Sequence, residues 1–152
     1  MKCLRVLWMF GALVGVVLAG GCSKTLEGSI QDGANFSRVS SMHVYMRDRD
    51  PNAEVLSILR AQLRERGYQV TVGLEREAPA GVDCMVEAQD KWHWDMTMYL
   101  LKFEVWFYEP GPGQLMASGK SRRTSILRQS PEFMVNEVLV QIFDTPASGT
   151  GS

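Results

Sequence analysis

Two runs of strict alternation constrain this chain more than any other feature. Val82, Cys84, Val86 and Ala88 alternate with Asp83, Met85, Glu87 and Gln89, and Leu101, Phe103, Val105 and Phe107 alternate with Lys102, Glu104, Trp106 and Tyr108. A two-residue period sends successive side chains to opposite faces of a sheet, so each run reads as a strand with one wetter face. The spacing predicts an antiparallel hairpin that turns between Asp90 and Met96. Any fold of the chain must then cover the apolar face of that hairpin.

The flanking segments provide the cover. Val39 to Met46 reads as a strand, with Met42, Val44 and Met46 on one face and His43 and Tyr45 on the other. Asp50-Pro51 opens a helix, because Asp50 can cap it and Pro51 fills the first helical position without losing a needed N–H. Leu56, Leu59 and Leu63 follow at helical spacing, and Gly67 ends the helix as a residue able to take positive φ. Tyr68 to Val72 is a short second strand, reached by a crossover that is right-handed if the two strands are parallel. After the hairpin, Glu109-Pro-Gly-Pro-Gly-Gln114 is a turn, leading into a strand over Leu115 to Ser121. Ser130-Pro131 repeats the cap-and-proline opening before a stripe of Val135, Val138, Leu139 and Ile142. The expected class is α+β: a mostly antiparallel sheet of about five strands with two helices on one face, in an order near βαββββα.

At the N-terminus, Lys2 and Arg5 precede a stretch without charge from Val6 to Ser23. The apolar part, Val6 to Leu18, fits a signal peptide and falls short of the roughly 20 residues a permanent span needs. Leu18-Ala19-Gly20-Gly21-Cys22 resembles the lipobox of bacterial lipoproteins, with Ala19 where leucine is commonest. The resemblance implies that the chain is cut before Cys22 and that the Cys22 thiol carries diacylglycerol, with further acylation (palmitate among the acyl groups) of the new amino terminus. Ser23 and Lys24 follow in place of the aspartate that tends to hold such proteins in the inner membrane. The implied location is therefore the outer membrane, lipid-anchored and facing the periplasm. An uncleaved anchor over residues 6 to 23, or ordinary secretion with Cys22 as a plain cysteine, are the competing readings.

On this reading residues 1–21 are a signal peptide, 22–35 a lipid-anchored tether, 36–144 a single periplasmic domain and 145–152 a disordered tail, TPASGTGS. The length of 152 residues leaves room for one domain. With Cys3 removed and Cys22 acylated, Cys84 is alone and is expected to be a buried thiol acting as a small hydrophobe. A formal charge of −1 argues against a nucleic-acid partner, which would need clustered excess Lys and Arg.

No sequence motif selects a reaction or a cofactor. Gly113 and Gly119-Lys120-Ser121 are spaced one residue too widely for a phosphate-binding loop and fall on a strand. His43 and His93 are the only histidines, and His93-Trp94-Asp95 offers too few ligands for a zinc site, so no metal is expected. Cys84 lacks a local nucleophile signature. Lys120, Arg122, Arg123 and Arg128 form a basic cluster that could meet anionic headgroups or cell-wall carboxylates.

The most informative candidate surface is Trp92, Trp94, Met98, Trp106 and Tyr108. If Leu101, Phe103, Val105 and Phe107 face the helices, then Met98, Leu100, Trp106 and Tyr108 point to the opposite side, with Trp92 and Trp94 at the hairpin end near them. Large aromatics on an uncovered sheet face are docking anchors or a membrane-resting belt, unless the tether closes that face or a bulge at Leu100-Leu101 turns the residues inward. The mature domain also resembles small mixed α/β outer-membrane lipoproteins that assist envelope assembly, such as those of curli secretion and peptidoglycan-synthase activation. That resemblance rests on element order and on Val82-Asp-Cys-Met-Val-Glu followed by a Trp-Asp turn, and carries over no functional residue. The expected function is a non-catalytic accessory domain binding an envelope protein. The alternative is a carrier or sensor of an apolar ligand or lipid, its pocket lined by Trp92, Trp94, Met98 and Trp106.

Overall fold

The computed structural model describes residues 24–47, 53–73, 79–111 and 113–144. The expected signal peptide, Cys22, the Asp50-Pro51 helix opening and the expected tail over 145–152 lie outside them. The described elements are β1 (Thr25–Ile30), β2 (Ser41–Met46), α1 (Ala53–Glu65), β3 (Gln69–Gly73), β4 (Cys84–Asp95), β5 (Thr97–Tyr108), β6 (Leu115–Arg122) and α2 (Pro131–Phe143), with short 3-10 turns at Phe36–Arg38 and Ser125–Leu127. The α+β class stands: one sheet in the order β1-β6-β5-β4-β2-β3 carries both helices. The pairs β1–β6, β6–β5 and β5–β4 are antiparallel, and β4–β2 and β2–β3 are parallel.

The sheet has six strands, and the additional one lies inside the segment expected to be a tether. Residues Thr25 to Ile30 pair along their whole length with Ala117 to Arg122 of β6. A segment with only Leu26 and Ile30 as large apolar residues is a poor independent strand. An existing ladder on β6 nevertheless offers every other backbone group a partner, which is enough at a sheet edge. β1 therefore begins three residues after Cys22.

Register fixes what each face carries. On the helix side lie Met42, Val44, Val86, Phe103, Val105, Phe107 and Ala117, all fully buried with Val55, Leu59, Leu63, Val138 and Ile142 of the helices. Val55 takes the place in the α1 stripe expected for Leu56, which packs at the edge of the core. The packing of α2 is closest over β1 and β6, where Gly28 and Gly119 are directly paired. A Cβ on Gly119 would stand 2.4 Å from Val138 Cγ1, and one on Gly28 would stand 2.7 Å from Gln141 Cβ. Two bare backbones are thus what let the helix settle on this edge. Ser130 caps α2, its Oγ accepting from the Phe133 N–H at 3.2 Å, and Gly67 leaves α1 at φ 94°.

The two ends of the sheet are finished differently. At one end Phe36, Phe107 and Phe143 pack edge to face, with ring centroids 5.1 to 5.7 Å apart. At the other, β4 and β5 run on past the last paired residues of β1, β2 and β6.

Candidate functional site

The β4–β5 extension is where the large exposed apolar side chains collect. Lys91 pairs with Lys102, but the next rung pairs Trp92 with Leu100, so Leu101 is an extra residue on β5. A single-residue bulge reverses the alternation beyond it. Leu100 consequently turns into the core, and Trp92 packs beside it with its Nε1–H donating to the Asp90 carboxylate. Beyond this rung neither helix backs the hairpin, and Trp94 and Met98, which pair with each other, are 68% and 59% exposed. The turn itself is Met96, at φ 61° and 86% exposed.

The extension is held as a rigid finger by Arg128, from the loop after β6. Its guanidinium donates to Thr97 Oγ1 at 2.7 Å, to the Asp95 carbonyl at 3.0 Å and to the Asp95 carboxylate at 3.3 Å. It also lies 4.6 Å above the Tyr99 ring, which meets His93 edge-on at 5.7 Å. The same loop places Ile126 in solvent at 78% exposure. Below it, Glu137 of α2 takes hydrogen bonds from Ser121 and Arg123 and an ion pair from Lys24 at 3.6 Å. That buried cluster closes the seam between sheet and helix at the end where the chain enters β1.

The five candidate surface residues therefore do not share one face. Trp92, Trp94 and Met98 point to the helix side at the finger, whereas Trp106 and Tyr108 lie on the outer face of the sheet body. The expectation that Met98 and Leu100 accompany Trp106 is corrected by the bulge, and a single pocket lined by Trp92, Trp94, Met98 and Trp106 is excluded by the sheet standing between them. On the outer face Arg47 stacks 4.1 Å from the Trp106 ring while its Nε donates to Glu87 at 2.9 Å. Beside them Glu27, Ser29, Glu104, Trp106, Ser118 and Lys120 border a shallow cleft of about 330 Å³.

The titratable candidates are likewise separated. Cys84 is fully buried on the helix side, and burial pushes its thiol up to about 12, so it is a small hydrophobe rather than a nucleophile. His93 lies nine residues further along β4, about 30 Å at the rise of an extended strand. His43 is buried against Thr71, whose Oγ1 is 2.9 Å from its Nδ1. Among the described residues no three His, Cys, Asp or Glu side chains are placed to hold a metal ion. Gly119-Lys120-Ser121 lies within β6 and not in a loop entering a helix. The basic cluster divides as well: Arg123 is buried on Glu137 and Arg128 holds the finger, while Lys120 and Arg122 stand on the outer face.

Sequence reasoning put Met96 at the turn and Arg128 in a basic cluster, but it did not join Ile126 and Arg128 to this end. The one available signal was the adjacent pair Leu100-Leu101, which a strict alternation cannot accommodate.

No family model matches the chain, and no curated protein matches it. Among solved structures it is similar to PelC from Paraburkholderia phytofirmans, crystallised as a dodecamer in two space groups. One structure aligns with a TM-score of 0.59 at 15% identity over 78% of this chain and 98% of that one; the other gives 0.57 at 16% identity over 80% and 99%. At that identity the likeness is one of fold.

Proposed function

We propose that this chain is an outer-membrane lipoprotein, anchored through Cys22, whose periplasmic α+β domain is a non-catalytic accessory module for an envelope protein or assembly. The observation that carries the reading is the sequence Leu18-Ala19-Gly20-Gly21-Cys22 standing three residues ahead of β1. A signal-type apolar stretch that ends in small residues and a cysteine, with a folded domain directly behind it, is the arrangement of a protein attached to a membrane by lipid. Two or three acyl chains, at about 0.8 kcal/mol per buried methylene, make such attachment effectively permanent.

The outer sheet face is the surface proposed for the partner. Trp106 offers an aromatic anchor already stacked on Arg47, and the cleft beside it alternates Glu27, Lys120 and Glu104 across three strands. Anchored aromatics with charged neighbours suit a specific protein contact. PelC is a dodecamer, so self-association through the same fold is the first assembly to examine, by native mass of the detergent-solubilised protein.

Metabolic labelling with palmitate tests the anchor. Wild-type protein is expected to take up label and to fractionate with the outer membrane, and Cys22→Ala is expected to lose the label. Membrane retention without any label would overturn the lipid anchor in favour of an uncleaved helix.

A further inference from the structure

Beyond partner binding, we infer that the β4–β5 finger is a membrane-resting element: its apolar tip sits in the interface of the bilayer that holds the anchor, and a cationic row behind it meets the headgroups. This rests on the reading that the chain is attached to a membrane just ahead of β1.

Chain length sets the geometry. Thr25, Arg122, Lys102 and Lys91 occupy one rung across β1, β6, β5 and β4. Cys22 precedes Thr25 by three residues, so its Cα lies no more than about 11 Å from that rung. Along β4, Trp94 lies three residues past the same rung, a rise of about 10 Å, and the Met96 turn lies about 17 Å past it. The finger projects beyond the end of the sheet at which β1 begins, a distance that three residues of chain can match. An acyl chain buried at Cys22 brings Trp94, Met96 and Met98 to the membrane surface.

Two further features suit that surface. Lys91 and Lys102 directly oppose each other, and Lys102 also opposes Arg122, an arrangement that destabilises a free sheet. Lys102 is relieved by Glu104 at 2.6 Å, and Lys91 and Arg122 are exposed. Anionic headgroups attract cations held in this position. At the turn, positive φ favours Gly or Asn, yet the position holds methionine. A large apolar side chain on a strained turn has a use where the turn meets lipid; an aromatic belt of tryptophan at the headgroup level is the usual companion.

The test uses protein purified from membranes with its native N-terminus and reconstituted in phosphatidylethanolamine–phosphatidylglycerol vesicles containing brominated phosphatidylcholine. Trp94 is exposed, so Trp94→Phe preserves the fold. The variant is expected to lose at least half of the bromolipid quenching of tryptophan fluorescence, whereas Trp106→Phe retains it. Equal quenching in wild type and Trp94→Phe would overturn the inference, as would protection of Trp94 from iodide in native envelope membranes but not in the vesicles, which would assign the finger to a protein. The mass of the N-terminal peptide from the same sample separates the two readings. Acylated Cys22 with an unquenched Trp94 sinks the finger and keeps the anchor, while a quenched Trp94 on a chain still carrying its leader does the reverse.

Discussion

The base and the tip of the β4–β5 hairpin are built from the same two strands on either side of a one-residue bulge, yet they have opposite surroundings. At the base, Phe103, Val105 and Phe107 face Val86 and Ala88 under two helices and are fully buried. At the tip, Trp94 and Met98 are as apolar and pair just as directly, but they stay mostly exposed among the described residues. Apolar area stabilises a fold only where folding removes it from water. The base thus contributes to stability and the tip does not, which leaves the tip free for the membrane contact proposed above.

Truncations at the two ends should sharpen this contrast. Phe103→Ala is expected to cost about 3–5 kcal/mol in urea unfolding, because it combines lost transfer energy with a cavity in the centre of the core. A loss below 1 kcal/mol would show that the base is not the stabilising half. Glu137→Ala should follow at about 3 kcal/mol, since it leaves Arg123 buried without its carboxylate; Arg123→Met in the same background should recover part of the loss.

Asp83, just before β4, gives the base a pH dependence. Its Oδ2 accepts from the backbone N–H and the hydroxyl of both Ser40 and Ser41, at 2.7 to 3.0 Å, and these bonds hold the carboxyl well below the usual carboxylate range. A carboxylate lowered by folding stabilises above its unfolded value, about 4, and loses that contribution as the pH falls toward the folded value. Asp83→Asn should therefore lower the urea midpoint at pH 7 while narrowing the gap between pH 7 and pH 3. An unchanged gap would mean that the serine bonds do not persist in solution. Met98→Ala should have the smallest effect, within about 0.5 kcal/mol, because an exposed side chain loses little on truncation. A loss comparable to Phe103→Ala would erase the distinction between base and tip.

Much of the body was legible in the sequence because its periods are regular. The alternation over residues 82–89 and 101–108, the cap-and-proline opening at Ser130-Pro131 and the glycine exit at Gly67 each act within a few residues, so local chemistry announces them. One element was not, and another was legible only as an alternative. β1 has little propensity of its own and exists because β6 offers an edge and because Gly28 and Gly119 admit α2. The bulge at Leu101 is a choice between registers, decided by whether Leu100 or Leu101 gains more from the core, and it separates Trp92, Trp94 and Met98 from Trp106 and Tyr108.

By itself the sequence determined most of the elements, their class and the cysteine on which the reading of an anchor rests, since each depends on residues close together in the chain. Only the tertiary structure decided which aromatics share a surface and that the β1 end of the sheet and the hairpin tip lie at one end. Faces and ends are properties of strand pairing, and pairing is set by contacts between residues far apart in sequence.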